Sequence, residues 1–330
     1  MPERRSTRRL APVAALLGLV TAGVLAAAPA SPSSFPGANG MIAFQRCCIP
    51  LNEIFVMAPD GSGQTQLTFN DTTDRQPSWS ADGSRIVFTS FRDGNDEVYV
   101  MNADGSDQTR LTSDAASDQT PTFSPDGSQI AFASTRDGDL EIWVMNADGT
   151  SPVQVTDNAV TDFAPAWSPD GSRIAFTQQL TQPGDGEIWL IDPDGTDPVN
   201  ITNSPAVDDQ EANWSPDGAR IAFASDADGN DDIWTMGADG SSPTNLTNHL
   251  AQDEDPAWSP DGTMIAFQTN RDLNVEIYTM DADGSSPTNR SNNDDTDSEP
   301  NWQSTEEPPP PPPATPPVPE PILAVVRFTG

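Results

Sequence analysis

The sequence predicts an all-β fold, a six-bladed β-propeller closed by its own C-terminal inner strand, and three observations carry that reading. A pattern of about 44 residues recurs six times. Each copy holds four short apolar segments separated by Gly, Pro and Asp turns, with no helical-period segment between them. The first copy lacks its innermost strand, and an unpaired example of that strand stands at the far end of the repeats.

The inner segment, strand a, carries one aromatic residue per copy: Trp79, Phe123, Trp167, Trp214, Trp258 and Trp302, spaced 44, 44, 47, 44 and 44 residues apart. A turn follows, Ser-Ala-Asp-Gly at 80–83 and Ser-Pro-Asp-Gly at 124–127, 168–171, 215–218 and 259–262. Proline at the second turn position presets φ, and glycine at the fourth tolerates a positive one. Strand b, Ile-Ala-Phe or Ile-Val-Phe, ends at Phe44, Phe88, Phe132, Phe176, Phe223 and Phe267. A variable loop leads to strand c, which opens on an acid: Glu53, Glu97, Glu141, Glu187, Asp232 or Glu276. A second turn, Asp-Gly at 60–61, 104–105, 148–149, 194–195, 239–240 and 283–284, leads to strand d. That strand is read as the Leu-Thr-like phrase at 67–68, 111–112, 155–156, 201–202 and 246–247, which becomes Arg290-Ser291 in the last copy.

Strand b has a bulky and a small face. Ile86 and Phe88 point one way and Val87 the other, and the small residue is Ala43, Ala131, Ala175, Ala222 or Ala266 elsewhere. Such sheets pack bulky face against small face, and around an axis they form a propeller. Each buried strand-a aromatic contributes about 1.5–3 kcal/mol. That burial exists only between blades, so one copy does not fold alone. The first copy begins at strand b (Met41 to Phe44), whereas Asn301-Trp302 is a strand a with no strand b after it. Pairing the two closes the ring and leaves no free edge. One propeller domain is expected over 41–303, although 330 residues would otherwise suggest two domains.

Outside the repeats, Arg4, Arg5, Arg8 and Arg9 precede an apolar run from Leu10 to Ala28 and then Ala28-Pro29-Ala30. This is the layout of a secretory signal, residues 1–30, cleaved after Ala30. An uncleaved anchor is the alternative, since the run nears the length that spans a bilayer. Residues 31–40 read as a short linker, 304–321 as a proline-rich spacer and 322–330 as an unassigned tail. The chain has 50 acidic residues against 15 basic ones, all Arg, for a net charge of −35. Removing residues 1–30 leaves 49 acids and 11 Arg, a net of −38. Binding to nucleic acid or an anionic membrane needs a basic patch, so neither is expected as a partner. One His (His249) and two Cys (Cys47, Cys48) fall short of a Cys/His zinc site and leave little for His-based catalysis.

The phrase Trp-Ser-Pro-Asp-Gly-x-x-Ile-Ala-Phe, with Ile-Trp/Tyr-Val-Met-Asn-x-Asp-Gly downstream, closely resembles the WD40-like (PD40) repeat of the TolB-type six-bladed β-propellers, over 263 residues. The resemblance implies that fold and an exported, envelope-associated protein that binds a protein partner. The family's namesake carries an α/β domain ahead of its propeller, whereas here only residues 31–40 are expected between signal and first strand. Catalytic relatives fuse the propeller to a serine peptidase domain, and this chain contains no Gly-x-Ser-x-Gly.

Five positions before each strand-a aromatic stands an Asp: Asp74, Asp118, Asp162, Asp209, Asp253 and Asp297. The fold would set them as a ring at one channel mouth, holding a cation such as calcium or selecting a basic partner segment. The plainer reading is that each caps its own turn through backbone hydrogen bonds. The b–c loops vary between copies, as a partner-binding face would. They offer Arg92, Arg136 and Arg271, together with Asp226 and Asp228 in a calcium-like stretch whose Gly229 is misplaced for an EF-hand. A solvated acidic loop is the alternative there. Cys47 and Cys48 are a disulfide candidate once exported, and pairing with a second chain competes with a strained vicinal bridge.

The expected function is an exported, non-enzymatic platform for a protein partner. One alternative is a calcium-dependent carbohydrate or cell-wall binder, although all eight Trp fall on strands a or c rather than in loops. The other is a hydrolase or lyase working from acids at the channel mouth. Those acids repeat identically, whereas catalysis needs asymmetry.

Overall fold

The computed structural model describes residues 38–48, 51–179 and 184–305. The expected signal, spacer and tail therefore lie outside the described residues, apart from Ser304 and Thr305. Six four-stranded antiparallel sheets form the six blades. Blade 1 takes strand a from Thr296–Ser304 and strands b, c and d from Asn39–Cys48, Leu51–Met57 and Thr65–Gln66. Ile42 pairs with Trp302, and the ladder runs from Asn39–Ser304 to Cys47–Thr296. The C-terminal closure is therefore present, and the paired region starts two residues earlier and ends one later than the repeat arithmetic placed it.

Blades 2 to 6 keep chain order, with strands a at Asp74–Trp79, Asp118–Phe123, Thr161–Trp167, Asp209–Trp214 and Asp253–Trp258. Bulky faces meet small faces as the alternation requires. Ala43, Ile54 and Val56 of blade 1 pack against Trp79, Ile86, Phe88 and Met101 of blade 2. At the seam, Ile42, Phe44 and Trp302 of blade 1 cover Ala257 and Ala266 of blade 6. The turn between strands c and d also packs blade on blade. A Cβ on Gly240 (φ 81°) would stand 2.2 Å from the Ile201 carbonyl oxygen of the preceding blade, so glycine is required there for approach as well as for φ.

Strand d lies two residues earlier than the Leu-Thr phrase, at Thr109–Arg110 and Val153–Gln154 in blades 2 and 3, for example. The phrase itself has another task. Thr112 Oγ1 accepts the Val98 amide at 2.9 Å and donates to Glu97 Oε2 at 2.6 Å, so a hydroxyl continues the ladder where the backbone turns away. Ile54 with Thr68 and Ile188 with Thr202 repeat the first of these bonds, and Glu53 and Glu187 the second.

Strand a holds a feature that period counting does not show. Its register slips three residues before each aromatic, between Arg75 and Ser78 in blade 2 and at the matching place in the others. Gln76, Thr120, Ala164, Glu211, Asp255 and Glu299 all take φ between 50° and 60° at this β-bulge. Proline follows in every blade but the fifth, where Ala212 stands, and a residue without an N–H suits a broken ladder.

Candidate functional site

The bulge re-aims six side chains toward the axis. With the residues that follow, they line a cavity of about 270 Å³. One layer further along strand a, the aromatics from Trp79 to Trp302 surround a narrower space of about 50 Å³. The channel is thus wide on the side where chain enters strand a and constricted where the aromatics meet.

The wide end is asymmetric. Blades 5, 6 and 1 contribute Glu211, Asp255 and Glu299, while blades 2, 3 and 4 contribute Gln76, Thr120 and Ala164. These side chains also link blades: Glu211 Oε2 accepts the Asp255 amide at 2.7 Å, as Gln76 Oε1 accepts the Thr120 amide at 3.1 Å. Burial, then the charge of Asp255, holds the Glu211 carboxyl well above its ordinary range. Burial and Glu299 do the same to Asp255. Burial and Glu211 push Glu299 up to about 7, against the opposing pull of Arg75. Arg75 itself is paired with Asp96 at 2.9 Å. Three carboxylates thus face one cavity, and they are the channel groups that could hold a cation or a cationic group.

The six repeated Asp residues lie elsewhere. Each is 0–3% exposed and none lines the cavity. Asp74 accepts from Asn70 Nδ2 and from Arg92, at 2.5 and 2.8 Å. Arg136 pairs with Asp118, Arg271 with Asp253 and Arg46 with Asp297, at 2.8, 2.5 and 2.6 Å. Arg92, Arg136 and Arg271 are thereby fastened to the Asp of their own blade, and each lies over an aromatic of strand c, at 4.5 Å from Tyr99 in the first case. Asp162 and Asp209 have amide and hydroxyl donors instead, Gln178 and Asn158 for one and Ser204 for the other.

In the fifth blade Asp226 accepts the Asp208 amide at 2.8 Å, and Asn245 Nδ2 bridges Asp228 and Asp232 at 3.0 and 2.9 Å. The space between those two carboxylates is filled by an amide. His249 is exposed, and its Nδ1 accepts the Ala251 amide. Cys47 is half-buried at the end of strand b, and the side chain of Cys48, its candidate disulfide partner, lies outside the described residues.

The bulge acids were not singled out from the sequence, because they do not repeat. The signal was present nonetheless: the residue before the strand-a proline is neutral in three copies and acidic in the rest, with Ala212 replacing proline in one.

Six repeated four-stranded blades around a channel define a six-bladed β-propeller. The PD40 family, TolB beta propeller domain, matches residues 29–121, 158–243 and 209–308, well over half of the chain, and the chain belongs to it. The Tricorn protease N-terminal beta propeller domain also matches, over residues 96–185. Among solved structures, TolB from Acinetobacter baumannii is similar at 21% identity and a TM-score of 0.71, covering 80% of this chain and 67% of that one. Kuenenia stuttgartiensis hydrazine synthase is similar at 14% identity and a TM-score of 0.66, covering 81% of this chain and 47% of that one. An oligogalacturonate lyase from Vibrio parahaemolyticus follows at 15% identity and a TM-score of 0.51, covering 77% and 73%. At these identities the likeness is one of fold. No curated protein sequence matches the chain.

Proposed function

We propose that the chain is an exported, non-enzymatic binding platform whose channel mouth receives a cationic segment of a protein partner. The observation that supports this is the one-sided ring of Glu211, Asp255 and Glu299 in a cavity of about 270 Å³. A Lys, Arg or free amino group entering there would form charge-assisted hydrogen bonds and relieve the mutual repulsion of three enclosed carboxylates. Membership of the TolB propeller family supports a protein partner. Export rests on the basic residues, apolar run and Ala28-Pro29-Ala30 of the N-terminus.

The lyase alternative fits less well. The channel acids do differ between blades, and Glu299 near 7 suits proton transfer at neutral pH. A uronate chain is anionic, however, and each of these acids that ionises would repel it.

The test is fluorescence anisotropy of the propeller with cationic, neutral and acidic peptides of equal length at two salt concentrations. Only the cationic peptide is expected to bind, more weakly at high salt. The variant Glu211→Gln/Asp255→Asn/Glu299→Gln should lose about 2 kcal/mol or more of that binding. Equal binding of the neutral peptide, or unchanged affinity in the variant, would sink the proposal.

A further inference from the structure

Blade 5 lacks a group that four other blades have. Arg92, Arg136 and Arg271 stand four residues after the strand-b phenylalanine of blades 2, 3 and 6. Each pairs with the strand-a Asp of its blade, at 2.8, 2.8 and 2.5 Å. Each guanidinium also lies over the aromatic rings of strands b and c, Arg136 at 5.2 Å from both Phe132 and Trp143. In blade 1, Arg46 reaches Phe44, Phe55 and Asp297 from a position two residues earlier in the repeat. Blade 5 has Ala227 where blades 2, 3 and 6 have arginine. Leu180, the counterpart in blade 4, lies outside the described residues.

The place that arginine fills elsewhere is a cavity in blade 5. Its volume is about 130 Å³, and Asp209, Phe223, Ser225, Trp234 and Met236 line it beside Ala227. Their counterparts around Arg136 in blade 3 are Asp118, Phe132, Ser134, Trp143 and Met145, the same residue types in the same order. Blades 3 and 5 thus supply the same five groups, and the arginine is what differs. Ala227 and Pro243, which also line the cavity, are exposed, so it opens to solvent. It shares no lining residue with the channel.

Asp209 is 3% exposed and accepts from the Ser204 hydroxyl where its counterparts accept from a guanidinium. Burial pushes its carboxyl up against the pull of the Ser204 and Ser225 hydroxyls, and the charges of Glu187 and Asp226 add to the rise.

We infer that this cavity binds a guanidinium group, with Asp209 accepting its N–H donors and the rings of Phe223 and Trp234 lying against its faces. A carboxylate held out of solvent takes strong charge-assisted bonds from the planar fork, and aromatic faces attract the same cation. An ammonium is compact and more strongly hydrated, and it offers no plane to stack, so lysine suits the site less well. The group comes as an arginine side chain of a protein partner or as a free guanidino compound.

The experiment is saturation-transfer NMR and calorimetry with N-acetylarginine amide, its lysine analogue and its neutral citrulline analogue. The full chain carries Glu211→Gln/Asp255→Asn/Glu299→Gln throughout, so the channel acids contribute nothing. One arginine ligand per chain is expected, with a Kd on the order of 10⁻³ M for a ligand of this size. The two analogues should bind at least about tenfold more weakly. Ala227→Arg installs the residue of blades 2, 3 and 6, so it has a template in this fold, and it should abolish binding. Asp209→Asn should weaken binding by about tenfold or more. An arginine-containing peptide that binds more tightly than the amide makes a partner's side chain the source, and equal affinity makes it a free guanidino compound. The assignment is overturned if no arginine ligand binds, or if the citrulline or lysine analogue binds equally well. Binding that survives Ala227→Arg overturns it too.

Discussion

Arg46 and Asp297, 251 positions apart in the chain, face each other across the seam of the ring, with Nε to Oδ1 at 2.6 Å and Nη2 to Oδ2 at 2.7 Å. They are also a backbone pair of the closing ladder. Arg46 is 8% exposed and Asp297 0%, so this fork joins the two ends of the propeller out of solvent. Removing one member of a buried pair strands the other charge. Asp297→Ala should therefore cost about 3–5 kcal/mol, read as a fall in the urea midpoint. A loss under about 1 kcal/mol would show that the fork contributes no more than a surface pair.

Ring closure can be tested by truncation. Trp302 is 3% exposed in the core shared by blades 1 and 6. Trp302→Ala should cost about 3–5 kcal/mol, as large core aromatics do. A chain ending at Thr296 loses all but the first residue of the strand and should melt far below the parent, whereas one ending at Thr305 keeps every pair of the ladder. Equal melting of the two truncations would contradict the closure.

The channel acids make stability depend on pH in a stated direction. A carboxyl whose folded pKa is raised binds more protons in the native state, so stability falls as pH rises between its ordinary value and its folded one. For Glu299 that window runs from 4.5 to about 7. With a chelator present, Glu299→Gln should add about 1–3 kcal/mol at pH 7.5 and almost nothing at pH 4.5. A variant that tracks the parent at every pH would refute the shift.

Glycine at the c–d turn sets how closely blades pack. Gly240→Ala brings a Cβ to 2.2 Å from the Ile201 carbonyl oxygen at a φ of 81°. A loss of about 1–3 kcal/mol is expected, measured against Gly229→Ala, which also has a positive φ but meets nothing within 4 Å. Equal losses would leave φ strain alone as the cause.

Thr112 ties the amide of Val98 to the carboxylate of Glu97. Thr112→Val keeps the shape and removes both bonds, leaving a buried amide and a buried carboxylate oxygen short of partners, for about 1–3 kcal/mol. Thermal unfolding of this single variant is the check, and a neutral result would mean that water replaces the hydroxyl.

The repeat period, the six aromatics from Trp79 to Trp302 and the unpaired strand at Asn301-Trp302 were enough to determine blade number and closure. Alternation of Ile and Phe with Ala is local chemistry, and whatever packs on a repeated sheet is another copy of it. Two things were decided only in three dimensions. The first is which acids meet: Asp74 and its counterparts look like a mouth ring in sequence, yet four of the six are paired with arginines, three from a b–c loop and Arg46 from strand b. The second is the bulge that turns Glu211, Asp255 and Glu299 onto one side of the channel. Charge acts through space across blades 44 residues or more apart in the chain, so a sequence states how many carboxylates there are but not which of them share a cavity.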